Sequence, residues 1–244
     1  MSDDSSPMSE PPKVRVRRGA DRGHFDHGWL NTRHTFSFAA YRDPAHMGFR
    51  SLRVINEDRV ASGSGFGTHG HDNMEIISYV LEGELEHKDS MGHGETLTPG
   101  EFQCISAGSG ITHSEFNPSS TSPTHFYQIW ITPDRRDVTP SYQQKRFDPS
   151  EIAEGLRLVA SPDGDKGSLR IHQNAGVYLG QLASGQSRDM NIDPGRGVWL
   201  QLLRGELDVV GNNLSAGDGI SLENAERLSM TARQDAEVMV FDLA

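Results

Sequence analysis

No apolar run in this sequence is longer than a β-strand, and glycine or proline closes most of them. That punctuation limits the fold before any motif is considered. Among the longest runs is Ile76-Ile77-Ser78-Tyr79-Val80-Leu81, too short to cross a bilayer as a helix. Lys13-Val14-Arg15-Val16-Arg17 alternates polar and apolar, as a half-buried strand does, and its basic residues read as a solvated face. Residues 51–55, 75–81, 102–107 and 125–132 are further strand candidates, separated by turn signals such as Glu82-Gly83-Glu84 and Thr98-Pro99-Gly100. With 26 glycines and 12 prolines between short strands, the pattern predicts an all-β fold of barrels or sandwiches.

The two halves of the chain also match each other. Tyr79-Val-Leu-Glu-Gly83-Glu-Leu-Glu aligns with Leu202-Leu-Arg-Gly205-Glu-Leu-Asp at an offset of 122 residues. Leu97-Thr-Pro-Gly100-Glu aligns with Leu214-Ser-Ala-Gly217-Asp at 117, so the second copy has lost five residues between the matched strands. A loop deletion inside a conserved frame is the mark of a duplicated β-domain. Asp148-Pro149-Ser150-Glu151 carries a helix start, with Asp as N-cap, Pro in the first turn and Glu three residues on. The expected organisation is therefore a disordered tail over 1–12, one barrel over 13–147 and a second over 148–244.

Composition narrows the function. Acidic residues outnumber basic ones 34 to 23, giving a net charge of -11, and a field of that sign repels nucleic-acid backbones. Cys104 is the single cysteine, so no intramolecular disulfide forms. The amino terminus lacks a basic segment followed by an apolar one. A cytoplasmic protein with no membrane or nucleic-acid partner is expected.

Eleven histidines remain to be explained. His24, His27, His34 and His46 read as turn or surface residues. His87 and His93 flank a polar turn and are expected to face solvent; His125 opens a strand, and His172 stands alone in the second half. His69-Gly70-His71 differs. Side chains two apart on a strand share a face, and about 6.6 Å of rise lets two imidazoles converge on one ion. Glu75 follows on the same parity. Beyond the next strands, His113-Ser114-Glu115 adds a histidine and a carboxylate, again on one face. Spacing admits either Glu75 or Glu115 as the fourth ligand.

His69-Gly-His71-Asp-Asn-Met-Glu75…Gly83 resembles the first cupin motif, and Pro99-Gly100…His113-Ser-Glu115-Phe-Asn117 the second. More closely, the chain resembles the pirins, bicupins whose bacterial members include enzymes with quercetin 2,3-dioxygenase activity. The shared blocks are His27-Gly-Trp29, Thr35-Phe-Ser-Phe38, Arg53-Val-Ile-Asn56, Gly65-Phe-Gly-Thr-His69, Asp89-Ser-Met91 and Tyr127-Gln-Ile-Trp130. The resemblance implies two tandem cupin (jelly-roll) barrels and a metal held by His69, His71, His113 and Glu115. Gly70 stands where the family often has proline. Counting from Gly205 and Gly217 places Asn191, Asp193, Met230 and Ala232 at the matching positions of the second half, so that barrel is expected to be metal-free.

Three neutral imidazoles and one carboxylate leave a divalent ion with a charge of +1 and, in octahedral geometry, two open positions. Fe(II) is the metal the family implies, and Ni, Co, Cu, Mn and Zn suit the same ligand types. The resemblance further implies a flavonol and O2 as substrates. Glu115 then acts as the base for the 3-hydroxyl proton, and the heterocycle opens with release of carbon monoxide. The competing expectation is a non-enzymatic, iron-binding regulatory protein acting through a protein partner.

Overall fold

The computed structural model describes residues 11–244, so residues 1–10 of the expected tail lie outside the described residues. After β1 (Lys13–Arg17), the first half runs through β2 (Gly23–Asp26), β3 (Leu30–His34), β4 (Leu52–Val60), β5 (Gly65–His71) and β6 (Glu75–Glu82). It continues with β7 (Leu85–Asp89), β8 (Gly94–Leu97), β9 (Glu101–Ser106), β10 (Ile111–Phe116), β11 (Thr124–Ile131) and β12 (Ser141–Arg146). A short helix, α1 (Pro149–Glu154), follows, and the Asp148 carboxylate accepts the Ser150 backbone N–H at 2.9 Å to cap it.

The second half contains β13 (Leu156–Ser161), β14 (Leu169–Arg170), β15 (Ala175–Leu182), β16 (Ser187–Asn191) and β17 (Gly197–Arg204). Then come β18 (Glu206–Val209), β19 (Asn212–Ser215), β20 (Gly219–Glu223), β21 (Arg227–Ala232) and β22 (Ala236–Leu243). Each half pairs a seven-stranded sheet with a four-stranded one. The first has β12-β9-β6-β11-β4-β3-β2 facing β5-β10-β7-β8; the second has β1-β20-β17-β22-β15-β13-β14 facing β16-β21-β18-β19. The architecture is two cupin-like jelly rolls in tandem. Among the described residues no helix is long and apolar enough to cross a membrane.

Gly83 and Gly205, aligned by the repeat, close the β6–β7 and β17–β18 turns with φ of +75° and +81°. A Cβ on either would lie 2.6 Å from the Pro123 carbonyl oxygen or 2.0 Å from that of Asp235, so only glycine fits.

Strand β6 is buried on both faces because it lies between two cores. Ile77, Tyr79 and Leu81 join Phe102, Cys104, Tyr127 and Ile129 in a cluster that also takes Val177, Leu179, Trp199, Met239 and Phe241 from the second half. This cluster joins the two seven-stranded sheets. Ile76, Ser78 and Val80 point the other way, into the first barrel.

One expectation is corrected here. β1 does not join the first barrel; it pairs antiparallel with β20, from Lys13 opposite Glu223 to Arg17 opposite Gly219. β12 covers the equivalent flank of β9 in the first barrel, from Ser141 opposite Ser106 to Arg146 opposite Glu101. Without β1, the backbone groups of β20 on that side would be an open edge. Arg18 and the Gly19 N–H reinforce the exchange by donating to the Asp218 carboxylate at 2.7 and 2.6 Å.

A second correction concerns the repeat. His113 lies opposite His69, and the matching residue Met230 lies opposite Arg188; Ile111 lies opposite His71, and Leu228 opposite Met190. The structural counterparts of His69 and His71 are thus Arg188 and Met190, not Asn191 and Asp193. Met190 stands fifteen residues before Gly205, whereas His71 stands twelve before Gly83, which displaces a count made backward from Gly205.

Candidate metal centre

β5 and β10 carry the three histidines. Strand alternation puts His69 and His71 on one face, and the cross-strand register sets His113 directly opposite His69. Past that pair the register slips, and Glu115 faces Phe66. The bulge gives β5 one extra residue, turns Phe66 toward Glu115 and leaves the Gly67 carbonyl free to accept the His69 Nδ1 hydrogen at 2.8 Å. With Nδ1 so engaged, His69 presents a lone pair on Nε2.

The ring centroids of His69, His71 and His113 form a triangle with sides of 4.8, 4.5 and 5.0 Å. One nitrogen from each ring lies within 4.8 Å of the others. His113 is 1% exposed, and neither of its nitrogens has a hydrogen-bond partner. A buried imidazole with two idle nitrogens is costly unless an ion uses one of them. Burial and the neighbouring imidazoles lower His71 to about 4 and His113 to about 3, keeping both rings neutral and able to donate to a cation. The residues present therefore fit a transition metal.

Glu115 is buried beside this triangle. Its Oε1 accepts from Gln103 Nε2 at 2.9 Å and Ser78 Oγ at 3.3 Å, and its Oε2 from Gln128 Nε2 at 2.9 Å. Trp130 Nε1 donates to Gln128 Oε1 at 3.2 Å, which fixes the amide so that its nitrogen faces the carboxylate. Glu115 also forms a group of ligand-type atoms with His113 and His87. Glu75 is engaged elsewhere: its carboxylate accepts from Ser106 Oγ at 2.7 Å and lies 3.3 Å from His172 Nδ1. The solitary histidine of the second half thus meets the carboxylate that parity left as an alternative.

Two histidines expected at the surface are buried. His87 is fully enclosed because it shares the inward parity of Leu85 on β7; its Nε2 lies 3.0 Å from Asp89, and its ring stacks on Tyr142 at 4.6 Å. His93, on the turn itself, keeps a 40% exposed side chain. His34 is the third inward residue of β3 after Leu30 and Thr32. In both cases the alternation was present in the sequence, and nearness to a turn concealed it.

Between the two sheets of the first barrel lies a cavity of about 420 Å³ that opens onto His69, His71 and Glu115. Trp29, Phe38, Phe66 and Trp130 line it. They stand as two edge-to-face pairs, Trp29 with Phe66 at 5.2 Å and Phe38 with Trp130 at 5.3 Å, and Trp130 also meets His71 at 4.9 Å. The arrangement brings metal-binding nitrogens, an oriented carboxylate and aromatic walls into one space. The spacing of the histidines and Glu115 is visible in the sequence, whereas the aromatic walls come from separate strands and leave no such signal.

A family model described as Pirin matches residues 13–131, and one described as Quercetinase C-terminal cupin domain matches 158–243. The chain is 48% identical to a protein named quercetin 2,3-dioxygenase from Escherichia coli strain K12, over 94% of this chain and 98% of that one. It is 43% identical to a putative quercetin 2,3-dioxygenase from Pasteurella multocida, with 94% and 99% covered. The crystal structure of YhhW from Escherichia coli superposes with a TM-score of 0.93 at 47% identity, covering 95% of this chain and 98% of that chain. Bacterial pirin YhhW in complex with nickel(II) gives 0.91 at the same identity, with 95% and 99% covered. Identity at this level along nearly the whole of both chains reflects common descent, and the chain belongs to the pirin family.

Proposed function

We propose that this chain is a metal-dependent dioxygenase that opens the heterocycle of flavonols such as quercetin with O2 and releases carbon monoxide. The observation that carries the proposal is the opening of His69, His71 and Glu115, with His113 packed behind them, into a cavity walled by aromatic rings. A planar, largely apolar ligand packs against such walls, and the cluster lies where its polar edge can reach. The nickel complex of the related YhhW and the names of the curated relatives support the same reading.

In this reading His69, His71, His113 and Glu115 hold one divalent transition metal in the barrel of residues 13–147, and the half over 148–244 supports it. Iron(II) is the ion we assign. When bound, the metal supplies Lewis acidity and open positions for oxygen ligands. The protein does the remainder. Gln103, Ser78 and Gln128 hold the Glu115 carboxylate in one orientation, so that it can take the proton of the flavonol 3-hydroxyl. The aromatic pairs keep the flat substrate aligned and limit water around the deprotonated flavonol.

Metal content and gas analysis test this together. Protein purified without oxygen is expected to carry one transition metal per chain and to release carbon monoxide from quercetin as O2 is consumed. His113→Ala is expected to lose the metal and the gas. Retention of metal at wild-type stoichiometry in that variant rejects the ligand set; O2 uptake without carbon monoxide rejects the reaction.

A further inference from the structure

The cavity has a polar wall that the reaction described above leaves unused. On β3 and β4 the register sets Thr32 opposite Asp58 and His34 opposite Asn56, with Leu30 opposite Val60 beyond them. All four polar residues line the cavity, and none is more than 5% exposed. His34 Nδ1 and Asn56 Oδ1 lack a hydrogen-bond partner, and the Thr32 hydroxyl, beside the Asp58 carboxyl, is the group that faces it in this wall. Two adjacent cross-strand pairs thus form a compact polar patch whose hydrogen-bonding capacity is largely unused.

Buried polar groups in folded proteins are almost always paired, because an unpaired one forfeits its hydration and gains nothing in return. A wall with such groups destabilises the free protein without serving its packing. The second barrel shows that the frame does not need them. Register places Tyr178 where the first barrel has Asn56 and Gly180 where it has Asp58. Tyr178 packs against the apolar core there.

We propose that Asp58 and Asn56, flanked by Thr32 and His34, form a subsite for the hydroxyl groups of a planar phenolic ligand. The Asp58 and Asn56 oxygens accept from ring hydroxyls, while the aromatic pairs hold the ring. The subsite selects hydroxylated rings over bare ones, since a bare ring leaves the same atoms unpaired. This inference deepens the dioxygenase reading and takes its probes from it.

The test is binding without oxygen to nickel-loaded protein, comparing quercetin with 3-hydroxyflavone, which keeps the 3-hydroxyl and lacks the other ring hydroxyls. Wild type is expected to prefer quercetin by about tenfold or more. Asp58→Ala is expected to lose most of that preference while 3-hydroxyflavone affinity changes less than about twofold. Asp58→Asn, which keeps an acceptor oxygen, restores part of it. Without ligand, Asp58→Ala keeps its metal and melts no lower than wild type, because a buried carboxyl with no cationic partner has been removed. No preference in wild type, or an undiminished preference in a folded, metal-loaded Asp58→Ala, overturns the subsite. Preference without carbon monoxide release under O2 upholds the subsite and removes the dioxygenase reading. Turnover with the preference intact in Asp58→Ala does the reverse.

Discussion

The two barrels share one strand frame and fill it in opposite ways. In the second, Leu200, Ile220, Met230, Ala232 and Val240 belong to a single apolar cluster that also includes Val198, Leu202, Leu207, Val209, Leu214, Leu228 and Val238. At the matching positions of the first barrel stand Ser78, Gln103, His113, Glu115 and Gln128. Its apolar interior is accordingly cut in two: Leu30, Val60, Val80, Leu85, Leu97 and Phe126 at one end, and Ile76, Ile105, Ala107 and Ile111 at the other. Burying one medium-sized apolar side chain stabilises a fold by about 1.5–3 kcal/mol, and five such positions in the first barrel are given over to polar groups. The large cluster between the seven-stranded sheets lets the first barrel draw stability from the second. Chemistry occupies one interior, and the other is free to hold the pair together.

Exchanging residues across this divide gives graded effects. The largest is expected for Glu115→Gln, which keeps volume and removes the carboxylate proposed as the base. Carbon monoxide release per bound metal should fall about 10²- to 10⁴-fold, measured beside metal analysis of the same sample. A loss of less than tenfold per metal would show that Glu115 does not carry the proton.

The reverse exchange comes next. Ala232→Glu places a carboxyl at the position matching Glu115, but among Leu200, Ile220 and Val240 it finds none of the donors that Ser78, Gln103 and Gln128 provide. Denaturant melts should show about 3 kcal/mol of destabilisation and no second metal. A second metal bound at equal occupancy would mean that the frame, not the polar set, makes the site.

Acid should separate the barrels more gently. Burial holds His34 and His71 at about 4 and His113 at about 3, against an ordinary value of 6.5. Between those values the unfolded chain binds more protons than the native one, so these three groups lower the stability of metal-free protein as pH falls from about 6.5 toward 4. Asp58, raised to about 7 from 3.8, acts in the opposite direction over part of that range. Burial raises Glu75 as well, and with three imidazoles against these two carboxyls hydrogen exchange in the presence of a chelator should accelerate first in β3, β5 and β10 on acidification. Acceleration beginning in β16 and β21 would contradict this.

Much of this was legible in residue order because strands write their two faces alternately. The runs at 75–81, 102–107 and 125–132, the Asp148 cap and the glycines at 83 and 205 all lie where local chemistry puts them. Alternation also found His69, His71, His113 and Glu115. It could not choose between Glu75 and Glu115, because the chain changes sheets between β5 and β6 and parity does not survive that change. Glu75 turns toward Ser106 and His172 instead. His34 and His87 had the correct parity, but turn residues beside them suggested exposure. The polar wall at Thr32 and Asp58 depends on a pairing between strands, which no local pattern records. The placement of β1 was hidden for the same reason.

That first strand also sets an order of events during synthesis. Lys13 leaves the ribosome early, while its partner Glu223 is made about two hundred residues later. At typical translation rates of about 5–20 residues per second, the segment waits ten seconds or more for its sheet. Its alternating lysine and arginines keep it soluble in that interval, a use for basic residues in an acidic protein that involves no ligand. Cutting the gene between the barrels would therefore not yield two complete halves: the first would carry a strand with nowhere to dock, and the second would present β20 as an adhesive edge.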